Sequence, residues 1–211
     1  MFTGIVREVG KLAEVVQLGE SARLRISAPM TAPESNLGDS ICVNGVCLTV
    51  AALDEECFWA DLSCETLTRT TFANAKAGAL LNIEPSLRPT DKMGGHIVAG
   101  HVDAVGAIES LSVEGRLWFR FPNRLAPYIA EKGSICIEGI SLTVTEAGED
   151  RAGAALIPHT IQNTNLRAKK PGDPINIEID ILARYIQRLL SMGAVELGSG
   201  LTAEKLRQYG F

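Results

Sequence analysis

The side chains in this sequence that could add to a substrate or move a proton recur at matched places. Cys47 and Thr49 in SICVNGVCLTV (40–50) answer to Ser141 and Thr143 in SICIEGISLTV (134–144), 94 positions later. Residues two apart on a strand share a face, so each pair sets a thiol or hydroxyl beside a threonine hydroxyl. Thr66 and Thr160 are related by the same offset, while Asn44 has become Glu138 and Cys47 has become Ser141. His96 and His101 lie in GGHIVAGH (94–101) and His159 in IPHT (157–160). An imidazole with a pKa of about 6.5 suits proton transfer at neutral pH. Two histidines clustered with three glycines favour a site there, whereas Lys132 reads as a surface charge and Asp180 as a helix cap. A duplicated core would also look alike, so the repeat alone leaves packing and binding both open.

The elements that position these groups are themselves duplicated. ETLTRTTF (65–72) matches HTIQNTNL (159–166), and LNIE (81–84) matches INIE (175–178). With the offset slipping to 96, TGIVREVGKL from Thr3 lines up with AGHVDAVGAI from Ala99. Two copies of one domain are therefore expected, over 1–92 and 97–184. Apolar residues at strand-like intervals, such as Leu24 and Ile26 or Leu117, Phe119 and Phe121, predict an all-β fold of two small barrels. Asn44-Gly45 is a strong tight-turn signal and Glu138-Gly139 a poorer one. After Asp180, Ile181, Leu182, Tyr185, Ile186, Leu189 and Leu190 recur in pairs every four residues, predicting an amphipathic helix at the start of a tail over 181–211. That helix suits packing on its own barrel and self-association equally. A second short helix is expected from Thr202 to Tyr209, stopped by Gly210.

Composition narrows the chemistry. The 211 residues carry a net charge of -5 without a Lys/Arg stripe, which argues against nucleic acid as a partner. No apolar run approaches membrane-spanning length and Arg7 and Glu8 come too early for a signal peptide, so a cytoplasmic protein with no membrane partner is expected. Five cysteines in no CxxC pair predict neither disulfides nor a metal site. Gly-rich nucleotide fingerprints, phosphate loops and GxSxG elbows are absent from the sequence.

MFTGIV at the start, VNGVCLTV (43–50), GGHIVAGHVD (94–103), GISLTV (139–144) and IPHT (157–160) together closely resemble the riboflavin synthase family of the alpha-subunit type. The resemblance implies two six-stranded Greek-key barrels per chain, a homotrimer joined through the C-terminal helix, and no cofactor. It also implies a transferase reaction, the dismutation of two 6,7-dimethyl-8-ribityllumazine molecules to riboflavin and 5-amino-6-ribitylamino-pyrimidinedione. Whether the trimer stands alone or sits in a shell of lumazine synthase stays open.

The resemblance also supplies a site. It groups Gly4, Ile5 and Val6 with Ser40, Cys47, Leu48 and Thr49, and with Asp61, Leu62, Ser63, Cys64, Glu65 and Thr66, as an N-terminal pocket. It groups Gly100, His101 and Val102 with Ser141, Leu142 and Thr143, and with Ala155, Leu156, Ile157, Pro158, His159 and Thr160, as a C-terminal pocket. Lys132 and Asp180 complete the set. His101 is expected to carry the proton, Ser141 or Cys47 to assist nucleophilic addition, and Thr143 and Glu138 to act with them. Glu138 stands where the family usually has Asp. The rival reading is a non-catalytic lumazine- or flavin-binding antenna protein, whose second barrel tends to lose the motifs that GISLTV and IPHT retain here.

Overall fold

The structure, a computed structural model, describes residues 1–112, 115–192 and 207–208. Six strands build the first barrel: β1 (Glu8–Leu18), β2 (Ser21–Ser27), β3 (Ser40–Val43), β4 (Val46–Leu53), β5 (Cys57–Leu62) and β6 (Leu80–Pro85). The second uses β7 (Ala104–Leu111), β8 (Arg116–Arg120), β9 (Ser134–Ile137), β10 (Ile140–Ala147), β11 (Arg151–Ala155) and β12 (Pro174–Ile179). The first closes in the order β1-β2-β5-β4-β3-β6 and the second in the corresponding order, every pairing antiparallel. These are the two closed barrels that the alternation predicted. Leu24, Ile26 and Phe58 fill one interior and Leu117, Phe119 and Ile177 the other, while Arg23, Arg25 and Arg120 point outward to carboxylates. Register shifts interrupt β1, β4, β7 and β10 at equivalent places, and such bulges bend strands around a small barrel.

Each barrel carries a short α-helix followed by a 3-10 turn between its fifth and sixth strands, and the two α-helices are started by different devices. Ser63 caps α1 (Cys64–Arg69) by accepting from the Thr66 amide at 3.1 Å, whereas α2 (Pro158–Gln162) begins on a proline whose missing N–H costs nothing in a first turn. Asp180 caps the third helix, α3 (Ile181–Ser191), by accepting from the Leu182 amide at 2.9 Å. Asp103 ties that helix to the second barrel through Arg184 at 2.7 Å. Leu182, Tyr185, Ile186, Leu189 and Leu190 stay exposed, so the apolar row is not spent on the chain's own barrel. Apart from residues 207 and 208, the helix expected over 202–209 lies outside the described residues. Among the described residues no helix is long and apolar enough to cross a membrane.

The barrels meet at their matched turns. Asn44 and Gly45 have φ of 48° and 81°, and Glu138 and Gly139 have 53° and 78°, the paired positive values of a two-residue hairpin. A Cβ on Gly45 would lie 3.0 Å from the Gly139 amide nitrogen, and one on Gly139 2.8 Å from that of Gly45, so only glycines let the turns pack back to back. A left-handed glutamate costs on the order of 1 kcal/mol. Its carboxylate compensates: Glu138 is fully buried and accepts from the Asn176 amide at 2.7 Å and Asn165 Nδ2 at 2.7 Å, and pairs with Lys169 at 3.1 Å. Asn82 completes the cluster, donating to the Glu138 carbonyl at 2.9 Å and to Asn165 Oδ1 at 3.0 Å. Replacing Glu138 with alanine strands the Lys169 charge and two donors, and should cost about 3–5 kcal/mol. Glu138→Gln should cost less, and urea denaturation of both variants measures the difference.

Candidate active site

The segments ahead of the two barrels are exchanged. Phe2 and Val98 form an antiparallel bridge, with reciprocal N–H···O contacts of 2.8 and 3.1 Å, and from it each segment runs onto the other barrel. The Ser141 amide donates to the Gly4 carbonyl at 2.8 Å, and the Cys47 amide donates to the Gly100 carbonyl at 2.9 Å. Val6 packs against the second barrel's core and Val102 against the first's. The pocket membership expected from the resemblance is thereby corrected: Gly4, Ile5 and Val6 go with Ser141, and Gly100, His101 and Val102 go with Cys47. Linear order suggested the opposite because the exchange happens across the Phe2–Val98 bridge, which no local pattern announces.

Two buried carboxylates anchor the exchanged segments. Glu84 accepts from the Thr3 amide and hydroxyl, both at 2.6 Å, and from the Gly4 amide at 2.9 Å. Glu178 accepts from the amides of Ala99, Gly100 and His101 at 2.7, 2.9 and 3.0 Å. Burial pushes both carboxyls above the usual glutamate value, against donors that hold them down. Neither residue was among the sequence candidates. Their signal was present in the repeated NIE at 82–84 and 176–178, a carboxylate ending an otherwise buried strand in both copies.

One cleft, of about 240 Å³, opens beside β4 and is lined by Cys47, Ser63, Glu65, Thr66, Gly100, His101 and Val102. Cys47 is half-buried and His101 exposed, so a thiol and an imidazole share this wall. Cys42 and Cys136, by contrast, are buried with thiols pushed well up by burial, which makes them unreactive packing. The equivalent region of the second barrel is built on β10. Ser141 Oγ lies 2.7 Å from His96 Nδ1, and Gly95 passes so close that a Cβ there would fall 2.8 Å from the Ser141 Cβ. Thr143 faces outward beside Ser141 and pairs with Ala155 on β11, whose exit leads through exposed Ile157, Pro158 and His159 to half-buried Thr160.

Other candidates sit elsewhere. Leu48, Leu62, Leu142 and Leu156 are core residues. Asp61 is exposed and held by Arg23, whose hydrogen bonds keep its carboxyl below the usual range. Cys64 is exposed on α1. Thr49 faces outward opposite Ser40, which lines a different groove with Arg7, Glu34 and Arg88. Lys132 is exposed at φ 64°. Glu138, expected to be catalytic, lies in the buried network between barrels, and burial there is what its contacts explain.

The molecule is a duplicated double barrel in which Ser141 and Cys47 are docked in equivalent ways by exchanged segments, and comparison with known proteins gives it a class. The lumazine binding domain matches residues 3–86 and again 99–180. Over the full length of this chain and of its relative, the sequence is 43% identical to the riboflavin synthase of Actinobacillus pleuropneumoniae. It is 39% identical to that of Photobacterium phosphoreum over 100% of this chain and 99% of the relative. Crystal structures of LumP share the fold: the riboflavin complex superposes with a TM-score of 0.77 at 25% identity, over 85% of this chain and 99% of LumP. The complex with 6,7-dimethyl-8-(1'-D-ribityl) lumazine gives 0.76 at 22%, over 84% and 98%. The chain belongs to the riboflavin synthase family of lumazine-binding proteins.

The straps are testable through their glycines. At Gly100, φ is +82° and a Cβ would lie 2.6 Å from the Cys47 Cβ and 2.8 Å from its amide nitrogen. Gly100→Ala should destabilise the chain by about 2–4 kcal/mol, combining strain with displacement of the strap. Gly19 has a φ of +68° with nothing within 4 Å, so Gly19→Ala should cost only about 1 kcal/mol. Thermal unfolding of the two variants separates close approach from backbone strain alone.

Proposed function

We propose that the protein is a riboflavin synthase, converting two 6,7-dimethyl-8-ribityllumazine molecules into riboflavin and 5-amino-6-ribitylamino-pyrimidinedione by transfer of a four-carbon unit. The observation that carries this reading is the pair of like-built regions, Gly4 docked on Ser141 and Gly100 docked on Cys47, in a chain of this family. A dismutation uses one compound twice, and a duplicated cleft binds it twice. Gly4 and Gly100 let the straps dock directly on Ser141 and Cys47, setting a backbone wall beside each for a flat ring. The hydroxyls of Ser63, Thr66 and Thr143 suit a polyol chain. Holding two rings in reacting geometry supplies effective molarities of roughly 10⁵ M or more. Protons and nucleophiles then come from His101, Cys47 and Ser141, with Lys132 reaching toward a neighbouring subunit's cleft.

The working unit is a homotrimer. The straps leave the antiparallel Phe2–Val98 bridge in opposite directions, and in this reading the two sites of one chain do not meet. A face-to-face substrate pair therefore calls for the first barrel of one subunit against the second barrel of another. The exposed row Leu182, Tyr185, Ile186, Leu189 and Leu190 supplies an apolar surface for that association. Residence in the cytoplasm and packing inside a lumazine synthase shell are both compatible with such a trimer.

Incubating the protein with dimethyl-ribityllumazine and no added cofactor should yield one riboflavin per two substrates, followed by absorbance and chromatography. Tight binding without conversion would instead place the chain with the antenna proteins. In solution, light scattering should give three times the chain mass of 22.6 kDa. Ending the chain after Asp180 should lower that mass to a monomer's and reduce kcat at least 10²-fold, because proximity is lost along with the partner cleft. A truncated monomer that kept full turnover would overturn the intersubunit arrangement.

A further inference from the structure

The two strap-docked positions, Cys47 and Ser141, are not chemically equal. Ser141 is hydrogen-bonded to an imidazole, His96 Nδ1 at 2.7 Å, whereas among the described residues no histidine side chain is hydrogen-bonded to Cys47, its counterpart. The ring is held from several sides. Its backbone amide donates to the Thr3 carbonyl at 3.2 Å, Gly95 packs against the Ser141 side chain, and Nε2 is buried without a hydrogen-bond partner. The charged side chain acting on it is Asp180, at the start of α3; the strap meets it through the Thr3 carbonyl and β10 through the Ser141 hydroxyl.

We propose that His96 is the positioning residue of the second cleft, accepting the proton of Ser141 and so making this cleft the one where a nucleophile adds to a lumazine ring. As Ser141 Oγ bonds to an electrophilic ring carbon, the C=N π pair moves onto the ring nitrogen and the hydroxyl proton passes to His96 Nδ1. On release the C–O bond breaks, the pair returns to the C=N bond and the proton returns to Oγ. Asp180 steadies the imidazolium formed in between. Burial lowers the His96 pKa from its ordinary value, with Asp180 opposing, so the ring is neutral and ready to accept at neutral pH. His101, on the exposed wall of the other cleft, is then free to serve the partner ring. The inference deepens the turnover proposed above and rests on it.

Steady-state kinetics on the full chain decide it. Removing a general base costs about 10²–10⁴-fold, so His96→Gln and Ser141→Ala should each lower kcat in that range with KM changed less than about threefold. The double variant should be no slower than the worse single one, because the two side chains act as a unit. Wild-type kcat should fall at acid pH with a midpoint below about 6.5, a limb missing from His96→Gln. If the wild type makes no riboflavin, the functional proposal itself fails. If it does, but His96→Gln keeps kcat within about threefold or the two substitutions multiply, only the pairing is overturned. An acid limb that is the same in His96→Gln as in the wild type overturns the pairing as well.

Discussion

Glu84 and Glu178 make the double barrel one object. Each is the penultimate residue of a barrel's last strand and takes three donors from a segment that then runs onto the other barrel. An unsatisfied buried N–H costs about 1–3 kcal/mol, and each carboxylate prevents several such losses at once. An ionised carboxylate is acceptor-only and meets all of its donors; a glutamine would turn an NH₂ toward backbone N–H groups. Burial still wins over those donors, since both carboxyls are pushed upward, so the straps are held at an electrostatic cost. What that cost secures is position: the strap carbonyls at Gly4 and Gly100 dock on the amides of Ser141 and Cys47, the residues with chemistry to offer.

The duplication also explains where the halves were free to diverge. Asn44 and Glu138 occupy the same turn position, and the residues 94 places after Ala75 and Thr71 are Lys169 and Asn165. The longer, charged Glu138 is matched by a lysine that the other half lacks, so the change is a pair of compensating substitutions within one buried network. Cys47 and Ser141 differ in the opposite sense. Neither is needed to satisfy the interface, both lie where the straps dock, and their neighbours differ in kind: an exposed His101 beside one and a half-buried His96 bonded to the other. Divergence in the network preserves the fold, whereas divergence at Cys47 and Ser141 sets different chemical groups at equivalent positions.

Much of the fold was legible because its signals are local. Alternation in Leu24 and Ile26 or Leu117 and Phe119, the Asn44-Gly45 turn, the Asp180 cap and the repeat offset each rest on a few neighbouring residues, and the barrels and α3 follow from them. The turn at Glu138-Gly139 read weakly because its stabilisation comes from Asn165, Lys169 and Asn176, all distant in sequence. The candidate site was legible in its residue types and only partly in its grouping. Strap exchange depends on Phe2 meeting Val98 across 96 positions, which turns a natural assignment of Gly4 with Cys47 into Gly4 with Ser141. Glu138 drew attention as the divergent position of a repeated turn, yet its full burial is visible only once the second barrel is in place.

The exchange has a functional consequence of its own. Were each segment to cover its own barrel, the two clefts would be independent domains joined by a linker, and either could drift relative to the other. With the straps crossed, moving one barrel pulls the wall out of the other's cleft, so the separation and orientation of the two sites within a chain are locked. Catalysis by proximity requires reacting atoms within about 3–3.5 Å. The trimer proposed above, with clefts paired from different chains, meets that tolerance only if each chain delivers both sites as one unit, and the crossed straps, anchored by Glu84 and Glu178, tie the two barrels together.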